Sequence, residues 1–133
     1  MYIIFFTALF SYMFFFALIV APSINNSLDD KGRTVLLRNI FPKNFKFGLL
    51  VCILAITFCF IKNQFNIAIF FSLIAFLFLI NLYLLVPHIN NASDKLKSGE
   101  EKYSAVFKRL HFLSVFLYLI QMIIALVGIF LFI

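Results

Sequence analysis

The sequence predicts an all-α membrane protein: an up-down bundle of four transmembrane helices, built from two similar hairpins. Three observations carry this. Of the 133 residues, 65% are hydrophobic and 12% charged, against about 45–50% and about 25% in a soluble domain; the mean hydropathy is +1.11. The charges are clustered and leave four apolar stretches, and a span needs about 20 such residues to cross about 30 Å of hydrocarbon. No stretch alternates polar and apolar residues over about ten positions as a barrel strand would. That leaves helices, which satisfy their own backbone in lipid.

The first apolar run is Tyr2–Ala21. It lacks a basic n-region and exceeds the about 7–15 residues of a signal h-region, so it reads as a retained helix. The second, Phe45–Ile61, carries Lys46 at its edge, where a lysine can snorkel to the headgroups. The third and fourth are Phe65–Val86 and Leu110–Ile133. With their interfacial turns the spans are predicted at about 2–21, 43–62, 65–86 and 105–133, in one domain covering 1–133. The intervening loops are 22–42 and 87–104.

The Lys62–Asn66 connection has room only for a tight turn, which makes spans two and three antiparallel neighbours. A short helix is expected in the first long loop. There Ser27 and Asp30 resemble a capping box, Leu36, Leu37, Ile40 and Phe41 share a face, and Phe41-Pro42 marks a restart. In the second loop Ser98 and Glu101 form a capping box, so the last helix is expected to begin near Gly99.

Charge predicts orientation. Lys31, Arg33, Arg38, Lys43 and Lys46 follow the first span, and Lys95, Lys97, Lys102, Lys108 and Arg109 follow the third; only Lys62 lies on the other side. By the positive-inside rule, loops 22–42 and 87–104 are cytoplasmic and both termini lie outside. The net charge of +6 is thus a topology signal first. Attraction to anionic lipid headgroups, about 1 kcal/mol per basic residue near the surface, comes second. Aromatics among these charges read as interfacial anchors, and no nucleic-acid partner is expected.

An internal repeat ties the halves together. Val20-Ala21-Pro22-Ser23-Ile24-Asn25-Asn26-Ser27 returns as Val86-Pro87-His88-Ile89-Asn90-Asn91-Ala92-Ser93, which suggests a parallel duplication about the membrane normal. In this reading Pro22 and Pro87 end their helices at the cytoplasmic face, with Asn25, Asn26, Asn90 and Asn91 beside the last carbonyls, which lack intrahelical donors.

Within the spans, His111, Ser114, Tyr118, Gln121, Ala125 and Gly128 fall within about 100° of arc on one helix, so this face points into the bundle. It reads first as interhelical hydrogen bonding, at about 0.6 kcal/mol a bond. The sharper reading is a polar path or cofactor wall. Gly48, Cys52, Ala55 and Cys59, and Ala68, Ser72 and Ala75, form small-residue stripes that permit close helix approach. The cysteines are about 10.5 Å apart along their axis at about 1.5 Å per residue, too far to bridge each other. His88 and His111 are the two histidines; placed near the same membrane face, they could together ligate haem iron or a metal ion. No acid lies in a span, which argues against an ion-coupled pump. No hydrolase, phosphate-loop or zinc-protease motif is present.

The order Ala21-Pro22, Ile40-Phe41-Pro42, the proline closing the third span, then Phe107-x-Arg109-Leu110-His111-x-x-Ser114 resembles the small four-helix membrane proteins of the domain of unknown function 4149, the transmembrane-protein-205-like group. The resemblance spans nearly the whole chain. It implies a fold related to copper-resistance-D-like proteins and HemJ-type protoporphyrinogen oxidases, and hence haem or copper handling. The chain departs from the HemJ pattern in having no histidine in span one and no Arg or Lys deep in a span, which counts against haem oxidation.

The expectation is a multi-pass protein of a bacterial cytoplasmic (inner) membrane. It is a non-enzymatic module, a homo-oligomer or a subunit of a larger assembly, in contact with anionic lipid. The alternative is a haem- or copper-handling protein using His111, with His88 as a further ligand and Ser114, Tyr118 and Gln121 as inner wall. A small-solute transporter ranks third.

Overall fold

A computed structural model describes all residues, 1–133, as four long helices and no strand: α1 (Tyr2–Ser27), α2 (Asp30–Ile61), α3 (Phe65–Lys97) and α4 (Tyr103–Leu131). Each is long and apolar enough to cross a membrane; at about 1.5 Å per residue even α1 extends about 39 Å. They pack as an up-down ring, with α1 and α3 each between α2 and α4. The all-α four-helix bundle read from the sequence holds.

The helix ends show why the chain turns where it does. At the tight α2–α3 turn, Asn63 adopts φ 55°, the left-handed conformation that Asn tolerates better than most residues. There the Gln64 N–H donates to the Cys59 carbonyl (2.9 Å) and the Asn63 N–H to that of Phe60 (3.1 Å), a Schellman closure. Gly99 repeats it after α3, with φ 96°, Glu100 donating to Lys95 and Gly99 to Leu96. Ser98 therefore closes α3 and does not open α4. Its hydroxyl donates to the Lys95 carbonyl at 2.8 Å, and α4 begins at Tyr103, not near Gly99. Nor does Ser27 cap α2. The cap is Asp29, whose carboxylate accepts from the Gly32 N–H at 2.9 Å; Ser27, the last helical residue of α1, lies too early to reach those amides.

The largest correction concerns the prolines. Neither Pro22 nor Pro87 ends its helix: α1 continues to Ser27 and α3 to Lys97. A proline inside a helix lacks the N–H for the bond to residue i−4 and clashes with that carbonyl. Both helices absorb this by widening the preceding turn, into π-helix over Phe16–Val20 and Ile80–Leu85. Ala21 donates to Phe16, and Val86 to Asn81, each five residues back. The repeat is thus a repeated deformation, not a repeated stop. Pro42 likewise lies inside α2, whose first turns are held by the Asp29 cap and by bonds to α3. Much of what reads as loop at 22–42 and 87–104 is therefore helix that overhangs the predicted spans.

At the Lys62 end the bundle is filled. The Phe6 ring stacks on Phe71 (centroids 4.1 Å apart) and on Phe132 (5.9 Å), and a Cβ on Gly128 would lie 2.5 Å from Phe6. Gly48, Cys52, Ala55 and Cys59 form one buried stripe along α2, joined by Ala68 and Ala75 of α3. At Gly48 an added Cβ would lie 2.1 Å from the Tyr12 hydroxyl and 2.3 Å from Phe78. Ser72, expected with that stripe, is exposed. Both cysteines are free and buried. In lipid the hydrophobic effect does not drive helices together, so this close packing is what holds them.

Candidate functional site: a basic-mouthed chamber

At the other end the overhanging helices stand apart and enclose a chamber of about 1000 Å³, lined from all four. That is at the upper end of the about 300–1,000 Å³ of ligand pockets. Its floor is aromatic. Phe16, Phe45 and Tyr118 meet there, with Phe45 and Tyr118 centroids 6.0 Å apart and Phe16 and Tyr118 6.4 Å. Its mouth is basic: Lys31, Arg33, Arg38 and Lys97 line it with a single carboxylate, Asp30.

Polar bonds fasten three of the helices. Arg38 of α2 pairs with Asp94 of α3 and donates to the Asn90 carbonyl at 3.1 Å, while Lys97 donates to Thr34 Oγ1. Deeper, Asn44 Nδ2 of α2 donates to the Tyr118 hydroxyl (3.0 Å), Ser114 Oγ to Asn81 Oδ1 (2.6 Å), and Gln121 Nε2 to the Ile74 carbonyl (2.9 Å). The polar face predicted on the last span points inward from Ser114 to Gly128, with its side chains at 114, 118 and 121 bonded to neighbouring helices, but His111, predicted to open that face, is exposed. Asn81 Nδ2 and Gln121 Oε1 are buried without a partner, as is the Tyr12 hydroxyl.

The histidines are not brought together in the chamber. His111 lines it, with its ring stacked at 6.0 Å on that of Phe107. His88 is exposed, does not line the chamber, and donates from Nδ1 to the Leu84 carbonyl of its own helix at 2.6 Å. The two repeat copies also differ. Pro22, Asn25 and Asn90 line the chamber, whereas Pro87, Asn26 and Asn91 do not. Copper fits these residues poorly, since the soft donors Cys52 and Cys59 lie outside the chamber and a copper site needs several N or S donors. One imidazole is enough for one axial bond to haem iron, so His111 fits that role.

Sequence reasoning did not single out Asn44, Asn81 or the Arg38–Asp94 pair. Asn81 left a signal, an amide deep in an apolar run, where a polar group must find a partner. Arg38 and Asp94 left none, because their pairing joins helices far apart in the chain.

No family model, curated protein or solved structure matches the chain. The fold itself defines the class: a multi-pass integral membrane protein of four helices, with a chamber open at its basic end.

Proposed function

We propose that the protein is a non-enzymatic membrane module that holds an anionic amphiphile in this chamber, at the cytoplasmic face of a bacterial inner membrane. One observation carries the reading: a mouth with four cations and one carboxylate joins an aromatic floor within a single cavity. A phosphate or carboxylate at the mouth would take charge-assisted bonds from Lys31 and Arg33. Lys31 is in no ion pair, whereas Arg33 is paired with Asp30 (3.4 Å) and donates to the Leu28 carbonyl (3.2 Å). The charge asymmetry between the two ends supports the cytoplasmic placement. Membership of the domain-of-unknown-function-4149 group is part of the proposal, and three residues from the last segment of the pattern that suggested it, Phe107, His111 and Ser114, line the chamber.

The test is titration of the purified protein, in a neutral maltoside detergent, with dodecyl phosphate and with dodecyltrimethylammonium. Saturable binding of the anion alone is expected, lost in the Lys31→Glu/Arg33→Glu variant while its helical circular dichroism is kept. Equal binding of both amphiphiles, or undiminished binding by that variant, overturns the reading.

A second reading rests on the presence of His111 in the chamber wall. There the imidazole would hold haem iron, with the basic mouth facing the propionates. A Soret band in gently purified protein that disappears in His111→Ala would favour it over the first; a colourless protein would remove it.

A further inference from the structure

Beside the chamber lies a second, apolar cavity. Between α1 and α4 a cleft of about 280 Å³ carries no polar surface and is lined by Leu18, Leu119 and Met122 together with Ala17, Val115 and Tyr118, three residues that also line the chamber. Leu18, Val115 and Leu119 are each about half exposed on the outer surface of the bundle. In a membrane that surface is bathed by acyl chains. The widened turn before Pro22 lies between the two: Phe16 faces the chamber, Leu18 the cleft, and Ala17 both.

We infer that the occupant is a bilayer phospholipid with an anionic headgroup, held with its phosphate at the basic mouth and an acyl chain leaving through the α1–α4 cleft into the membrane. The inference rests on the amphiphile reading above and names its ligand class. A small soluble anion has no use for an aromatic floor. A single-chain amphiphile, enclosed in the chamber, has none for an apolar exit. A two-chain lipid needs both, because its headgroup seeks the cations while its tails stay in hydrocarbon.

The helix fastenings agree. Side-chain hydrogen bonds join α2 to α3, α2 to α4 and α3 to α4. None joins α1 to any other helix, and the one buried hydroxyl α1 turns inward, that of Tyr12, is unpartnered. Parting α1 from α4 therefore breaks no side-chain hydrogen bond between them, only contacts that lipid chains replace. The seam that must open for a lipid to enter from the side has no polar bond across it.

The chain contains no tryptophan, so one introduced indole reports its own surroundings. Leu119→Trp places it in the cleft, and Ile69→Trp on the exposed surface of α3; Leu18→Trp is the second cleft reporter should Leu119→Trp not fold. Each variant is placed in phosphatidylcholine vesicles containing a minor fraction of phosphatidylglycerol brominated on its acyl chains. Stronger quenching in the cleft than on α3 is expected, lost when Lys31→Glu/Arg33→Glu is added and absent when the brominated lipid is phosphatidylcholine. Equal quenching at the two positions, with dodecyl phosphate still bound, overturns the lateral lipid and leaves the amphiphile site standing. Equal quenching with no dodecyl phosphate binding overturns both. Cleft enhancement by phosphatidylcholine to the same degree overturns the requirement for an anionic headgroup.

Discussion

The two ends of the bundle are built from the same four helices and have opposite interiors. At the Lys62 end, Gly128 and Ala125 let α4 close upon the Phe6 ring, and Phe71 and Phe132 sandwich it. At the basic end the helices run on past the widened turns before Pro22 and Pro87, and a chamber remains between them. Small residues bring the backbones together at one end; at the other, polar bonds join the overhanging α2 and α3 at the rim and a chamber remains between the helices. Stability and binding are thereby assigned to different halves.

Substitutions that treat the two ends alike would break this contrast. Phe6→Ala empties the middle of the aromatic stack, and a loss of about 3–5 kcal/mol is expected, measured as unfolding in mixed micelles with increasing denaturing detergent. Gly128→Ala pushes a methyl against the same ring and should cost about 1–3 kcal/mol by overpacking. Leu37→Ala, in the chamber wall, enlarges a space already open and should cost less than about 1 kcal/mol in the same assay. A loss there as large as that of Phe6→Ala would mean the chamber is packed shut in the membrane. The smallest effect is expected at Gln121→Met. That change gives up the bond to the Ile74 carbonyl but also removes the unpartnered Oε1, so stability should stay within about 1 kcal/mol of the parent. A much larger loss would show that Gln121 Oε1 has a partner in the membrane.

The spans were legible because apolar length is a local property: every residue of a lipid-facing helix must be compatible with lipid, whatever its neighbours in space. The inward face from Ser114 to Gly128 was legible for a related reason, since polar and small residues at helical spacing have only the bundle interior to face. The overhangs were not. Pro22 and Pro87 carry the usual mark of a helix end, and nothing local says that one wider turn will admit them instead. Asp29 took the cap read at Ser27, and Ser98 closed a helix where a start was expected. Both are cases where side chains that suit either end of a helix leave the choice to the backbone on each side.

The sequence by itself determined the number of helices, their membrane-spanning character and the end at which the positive charges gather, because hydropathy and charge act residue by residue. Only the tertiary structure decided that His111 lines the chamber and His88 does not, that Arg38 pairs with Asp94, and that Lys31, Arg33, Phe45 and Tyr118 border one chamber. Those relations depend on how four separate helices lean against one another. That in turn rests on where two glycines and a phenylalanine ring allow the helices to close, and where two prolines oblige them to widen.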